Sequence, residues 1–168
     1  MWAFEATLSL LDNPLWTVVF PVPQNIAEDI LSQKEDRRII CTVGSLSKHC
    51  ALMHDGQGGF YILMNKTECK KLKIEPGSTC KLKVELDQSK YGMHVPEAFE
   101  AVMETDPEGE RLFEALTPGK KRSALHMLGK IKDEALQIER ILIFFEHLKR
   151  QGGNIEYKIL NQEFKRGR

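Results

Sequence analysis

The sequence has no excess of charge of either sign. Its 168 residues contain 24 lysines and arginines against 24 aspartates and glutamates. A protein held to nucleic acid mainly by phosphate contacts normally has a marked basic excess, so this balance leaves only a local basic patch open. The chain starts without a cationic region followed by an apolar segment, and the apolar run 141–145 is too short to span a bilayer. We therefore expect a soluble, cytoplasmic protein with no membrane span.

The sequence also lacks the patterns of metal and catalytic sites. Four cysteines are present without a C-x-x-C pair, and we expect small buried side chains in a reducing compartment. On one strand His49 and His54 would point to opposite faces, and Cys50 would face away from His49. We therefore predict no catalytic residue, no metal and no cofactor. A histidine packed against a cysteine or carboxylate would favour an enzyme instead.

Short strand patterns dominate the first half of the chain. Residues 2–10 alternate apolar and polar side chains, and the β-branched and aromatic run 15–20 is ended by Pro21. Apolar spacing predicts short helices over 24–33 and 66–72. Further strands are predicted over 38–43, 50–53, 59–64 and 80–86. About six or seven short strands with two brief helices predict a small β-barrel over residues 1–90, since closure removes exposed sheet edges.

The apolar period changes to that of helices after a boundary near residues 88–95. Helix starts are predicted at Val95-Pro-Glu97, Asp106-Pro107, Thr117-Pro118 and Asp133. Gly152-Gly153 ends the longest helix, and a last short helix follows with Tyr157, Leu160 and Phe164 on one face. The fold class is therefore α+β: a β-barrel followed by an all-helical region over 95–165, which we expect to pack on it.

The segment Leu116–Arg122 places three cations directly after a proline and a glycine. It is not a Walker phosphate loop, because Lys121 follows Gly119-Lys120 and the first glycine of that motif is missing. Thr117 and Pro118 instead fit the start of a helix whose cations face solvent. Cations at a helix N-terminus oppose its dipole, at about 0.3–1 kcal/mol. A bound anion there is the alternative interpretation.

Several ordered segments carry a family resemblance: NPLWTVVFPVPQNIAEDI, GQGGFYILMNK, and the run from KLKIEPGSTC to FFEHLKRQGG. Together they resemble bacterial proteins of the YdeI/OmpD-associated, or bacteriocin-protection, type. The resemblance implies a small N-terminal β-barrel domain of unknown function before a helical region, and no established enzymatic activity. The sequence departs from the family pattern at Leu136-Gln137, where a threonine-arginine pair is usual.

These observations favour a non-enzymatic binding module for a small molecule, peptide or partner protein, in a setting of stress or bacteriocin protection. We predict a pocket between the barrel mouth and the helices, with cations for an anionic ligand and aromatic residues for apolar contact. Its predicted residues are Trp16, Tyr61, Lys120, Lys121, Arg122, Lys130 and Arg140. The alternative is a barrel that binds single-stranded nucleic acid on strand aromatics flanked by lysines.

Overall fold

A computed structural model describes residues 1–11, 17–34 and 36–167. The chain divides into two compact units, Met1–Gly92 and Met93–Arg168. The first contains two antiparallel sheets and two helices, and within the described residues the second contains only helices. The protein is therefore α+β, with sheets first and helices after them.

The first unit consists of two four-stranded sheets. The strands are β1 (Trp2–Thr7), β2 (Ser9–Leu10), β3 (Val18–Val22), β4 (Arg38–Val43), β5 (Leu46–Ala51), β6 (Met53–His54), β7 (Phe60–Met64) and β8 (Thr79–Leu86). One sheet has the order β1-β8-β4-β5 and the other has the order β2-β3-β7-β6, and every neighbouring pair is antiparallel.

The predicted closed barrel is wrong, because neither sheet closes on itself and no strand ladder joins them among the described residues. Where β5 approaches β7, the hydrogen bond comes from a side chain and not from paired backbones. The Lys48 Nζ atom donates to the carbonyl oxygen of Leu63 at 2.6 Å. The same nitrogen lies 2.7 Å from the carboxylate of Glu68. The two sheets nevertheless share one core, in which Phe20, Ile39, Ile62 and Leu82 are fully buried.

The prediction that Pro21 ends the strand β3 is wrong. Pro21 lies inside the strand and opposite Tyr61 of β7. On the other side of β3, the ladder with β2 extends only to Val19, so Pro21 has no ladder partner in β2. Proline is tolerated in a strand where its missing N–H is not required.

Two helices connect the strands, and both have the predicted bounds. Helix α1 spans Gln24–Gln33 and α2 spans Lys66–Leu72. Asn65 and Glu68 form a capping box at the start of α2, with each side chain bonded to the other residue's amide. The Trp2 indole donates to Asp29 at 2.6 Å and so joins β1 to α1.

The second unit contains five helices within its described residues: α3 (Glu97–Thr105), α4 (Pro107–Glu114), α5 (Pro118–Gly129), α6 (Glu134–Arg150) and α7 (Tyr157–Arg166). The predicted caps are confirmed, since Asp106, Thr117 and Asp133 each accept a hydrogen bond from an amide of the following first turn. Four phenylalanine side chains meet in the core between α3, α4 and α6: Phe99, Phe113, Phe144 and Phe145.

Helix α7 is held to α6 by two buried polar side chains. Arg140 donates to the carbonyl oxygen of Phe164, and its guanidinium lies 4.9 Å from the centre of the Phe164 ring. His147 contacts the Glu163 carboxylate through Nδ1 at 2.8 Å and accepts the Glu156 N–H through Nε2 at 3.0 Å. Arg140 and His147 are each held by two contacts of this kind.

Candidate functional site

Of the two aromatic residues predicted to contact a ligand, the structure describes one. Trp16 lies outside the described residues. Tyr61 lies half-buried on β7, between Pro21 on β3 and Met53 on β6. It belongs to the sheet unit, whereas the five predicted cations belong to the helical unit. Its binding role stays a prediction.

Lys120, Lys121 and Arg122 lie together in the first turn of α5. Lys120 is exposed, but Lys121 lies 2.6 Å from the Glu114 carboxylate with only 15% of its side chain exposed. Its ammonium also lies 6.0 Å from the centre of the Phe113 ring. The charge of Lys121 therefore has partners inside the protein, which supports a structural contact for that side chain.

Lys130 and Arg140 lie apart from that turn. Lys130 is exposed at the other end of α5, roughly 15 Å along the helix axis from Lys120. Arg140 is buried on α6 and directed at α7. The structure thus groups three of the five cations and separates the other two, and the proposed binding roles of all five remain untested.

A histidine against a buried carboxylate is present in the sheet unit. The Nδ1 atom of His49 lies 2.7 Å from Asp87 Oδ2, and Asp87 is fully buried. Burial by itself would raise the pKa of Asp87, but hydrogen bonds from Ser89 and His49 outweigh it and lower that pKa. This contact orients the imidazole.

The pair lacks the other parts of a hydrolytic site. Ser89 donates its hydroxyl to Asp87 rather than to His49, at 2.5 Å. Burial raises the pKa of the neighbouring Cys50 thiol to about 11, so it is protonated at neutral pH. Among the described residues no hydroxyl or thiol is hydrogen-bonded to His49 Nε2. The geometry accordingly gives a positioned histidine without a nucleophile.

Other classes of site receive no support from the part of the chain that is described. It contains no group of three or more potential metal ligands, and no helix that is both long and apolar enough to cross a bilayer. All four cysteines are free thiols. Among the strand aromatics, Phe20 is fully buried and therefore not accessible for base stacking, and the strand lysine Lys81 lies 3.9 Å from Glu5.

The helical unit contains a groove of about 580 Å³ along α3 and α6. Its apolar lining comes from a proline, two alanines, a glycine and an isoleucine: Pro96, Ala98, Ala101, Gly129 and Ile138. Its polar lining comes from His94, Glu97, Glu134 and Gln137. Polar and apolar surfaces contribute about equally to this lining. A concave surface of this size with several polar groups can hold a ligand.

Local structure explains why these side chains line the groove. Glu97 and Ala101 are four residues apart on α3, and Glu134 and Ile138 are four residues apart on α6, so each pair shares a helix face. Gln137 is fixed at the base, because its amide nitrogen donates to the carbonyl oxygens of Leu128 and Ile131, each at 3.1 Å. The groove is therefore built on ordered helices and a held amide.

Sequence reasoning did not assign these lining residues to a site. It predicted Val95-Pro-Glu97 only as a helix start. No signal in the sequence pointed to the groove: Ile138 has the helical spacing of a core residue relative to Ile141 and Leu142, and its 37% exposure becomes visible only in the structure.

Two family models match the chain. Residues 4–84 match the model described as Domain of unknown function (DUF1905). Residues 93–151 match the model described as Bacteriocin-protection, YdeI or OmpD-Associated. The second match contains every residue that lines the groove. No curated protein matches the chain.

Proposed function

Because the chain belongs to the YdeI/OmpD-associated, bacteriocin-protection family with its N-terminal domain of unknown function, we propose that it is a non-enzymatic binding protein that acts in bacteriocin protection. The groove along α3 and α6 takes a peptide or a small molecule. The observation that carries this proposal is the groove itself, which both apolar and polar side chains line.

Binding rather than catalysis is supported by the chemistry of the lining. The groove has two carboxylates and a histidine but no cysteine, serine or threonine among its lining residues. The amide of Gln137 is already bonded to two carbonyl oxygens, so it acts as a fixed wall. The four free thiols support action in a reducing compartment such as the cytoplasm.

The proposal is tested by blocking the groove without changing charge. Ala101 lines it from an exposed position on α3, so Ala101→Leu fills space while keeping good helix propensity. The full chain, labelled with ¹⁵N, is screened by NMR against a library of short peptides and small molecules. We expect ligands that shift the amide signals of Ala98, Ala101 and Gly129, with affinity at least about tenfold lower for Ala101→Leu.

The matched control is Ser123→Leu, which adds a leucine at an exposed position of α5 away from the groove lining. It should bind as the unmodified chain does. Ligands whose shifts map elsewhere, or that bind Ala101→Leu with unchanged affinity, would show that the groove is not the binding site.

A further inference from the structure

We propose that the sheet unit binds nucleic acid through phosphate contacts along helix α2. The contact surface is a row of three lysines, Lys66, Lys70 and Lys73, which we call the lysine row. It recognises the phosphate backbone, so binding depends on neither base sequence nor base stacking. This surface belongs to a different unit from the groove, and its role goes beyond the proposed function.

The neutral total charge of the chain conceals a local excess of cations at α2. Residues 66–73 contain four lysines and one glutamate. That glutamate, Glu68, is already neutralised inside the unit, since its carboxylate lies 2.7 Å from the Lys48 ammonium and only 17% of each side chain is exposed. The lysines of α2 therefore form a basic patch that no carboxylate of the helix offsets.

The lysine row is exposed and has no partner within the described ranges. Lys66 and Lys70 are four residues apart and share a helix face, and Lys73 follows one turn beyond Lys70. Another face of α2 is used for packing, since Cys69 and Leu72 contact the core of the unit. All three lysines are exposed, and among the described residues their ammonium groups make neither an ion pair nor a hydrogen bond. Their charges are therefore available to a ligand.

The lysine row is kept at a local cost in stability. Lys66 is the first residue of α2, where a cation opposes the helix dipole. Lys70 suits the dipole in the last turn, but it repels Lys66 at a spacing of four residues. Lys73 adopts φ 54°, a left-handed conformation in which glycine or asparagine is favoured at a helix end. Charges that are retained against local stability point to a use for those charges.

The composition of the exposed face favours nucleic acid over an anionic membrane. The exposed residues of α2 are three lysines and a threonine: Lys66, Thr67, Lys70 and Lys71. A helix that lies on a membrane inserts apolar side chains, and the exposed face of α2 has none. A nucleic acid strand instead carries a regular line of phosphates, which lysines contact as point charges. With three contacts we expect binding that is weak at physiological salt.

The probe is a fluorescein-labelled single-stranded DNA of mixed sequence, about 20 nucleotides long. Its binding to the full chain is measured by fluorescence anisotropy between about 20 and about 200 mM salt. Three phosphate contacts predict that the logarithm of the association constant falls with the logarithm of the salt concentration with a slope of about −2. A second strand of unrelated sequence should bind with the same affinity.

The test variant is Lys66→Gln with Lys70→Gln, which removes two charges of the lysine row. We expect at least about tenfold weaker binding at the lowest salt, and a slope that is shallower by about 1.4. The control, Lys158→Gln with Lys165→Gln, makes the same change in net charge at exposed positions of α7. It should leave the slope unchanged, and urea unfolding should confirm that both variants are folded.

Lys73→Gly separates a binding role from a structural one. Glycine adopts the left-handed conformation without strain, so the urea midpoint should rise. The loss of one phosphate contact should nevertheless weaken DNA binding and make the slope shallower by about 0.7. A residue that only ended α2 would not give opposite effects on stability and affinity.

Absence of DNA binding at the lowest salt would overturn the inference, as would an equal loss in the control variant or unchanged binding in Lys73→Gly. Binding to phosphatidylglycerol vesicles that is tighter than binding to DNA and depends on Lys66 and Lys70 would assign the lysine row to a membrane surface instead. The groove is tested separately by Ala101→Leu, so either proposal can fail while the other stands.

Discussion

Asp106 has two separable roles in the helical unit, and its substitution gives the sharpest prediction about stability. One carboxylate oxygen accepts the Gly109 N–H at 3.0 Å and caps α4. The other lies 2.7 Å from the Lys149 ammonium, with only 18% of the Asp106 side chain and 25% of the Lys149 side chain exposed. This side chain links the start of α4 to α6 by an ion pair, in addition to the contact of Phe113 with the phenylalanines of α6.

The two roles predict different free energies for two substitutions. Asp106→Ala removes the cap, which costs about 1 kcal/mol, and the ion pair, which adds about 0.2–1 kcal/mol. Asp106→Asn keeps a good capping oxygen and loses only the charge, so we expect it to lose less than about 1 kcal/mol. Asp133→Ala is the control for capping alone, since Asp133 caps α6 at 2.8 Å without an ion pair.

The measurement is urea unfolding of the full chain at pH 7, repeated toward pH 3. Burial alone would raise the pKa of Asp106, but Lys149 and the Gly109 N–H outweigh it and lower that pKa from its ordinary 3.8. A lowered pKa stabilises the fold above 3.8, and this contribution is lost as pH falls below it. The difference between the unmodified chain and Asp106→Ala should therefore shrink in acid. Equal losses for Asp106→Asn and Asp106→Ala would refute the capping role.

Two further predictions concern packing and buried polar contacts in the helical unit. Gly109→Ala should destabilise the protein by about 1–3 kcal/mol in the same unfolding assay, because its new methyl group would lie 2.5 Å from the Phe145 ring. Gly119→Ala, where no atom lies within 4 Å, should be neutral or slightly stabilising, and a similar loss there would contradict the packing argument. His147→Leu should cost about 1–3 kcal/mol, because it leaves one oxygen of the Glu163 carboxylate and the Glu156 N–H without a partner, whereas His126→Leu at an exposed position should cost little.

The parts of the fold that depend on residues close together in the chain could be predicted from the sequence. Thr117 and Asp133 cap helices as expected, because a capping bond joins residues three apart in the chain. The bounds of α1 and α2 follow from apolar spacing for the same reason. Alternation likewise predicted that Leu8 faces the core, but Leu10, two residues later, is 44% exposed.

Sheet closure could not be predicted in that way. Alternation tells which face of a strand is buried, but not which strand lies beside it. Between β5 and β7, the side chain of Lys48 bonds the carbonyl oxygen of Leu63, fifteen residues later, where a closed barrel would have paired backbones. A barrel and two facing sheets have the same alternation, so the pattern alone could not separate them.

The candidate site was missed for a related reason. Glu97 and Glu134 lie on different helices, 37 residues apart in the chain, so the sequence gives no sign that they share a site. Their common position beside Ile138 becomes visible only when α3 and α6 are placed side by side. Sequence reasoning therefore found the helices and their apolar faces, but not the groove that two of them form.

The predicted binding role of Lys120, Lys121 and Arg122 depends on whether their charges already have partners in the protein. Three cations at the start of α5 oppose the helix dipole, and that cost suggested a ligand. The contact between Lys121 and Glu114, 2.6 Å long and largely buried, offsets part of the cost within the protein. A charge that already has a partner is weak support for a binding site, because a ligand would have to displace that partner. Among the described residues, Glu97 and Glu134 of the groove have no such contact that a ligand would have to break, and for this reason the groove is the stronger candidate.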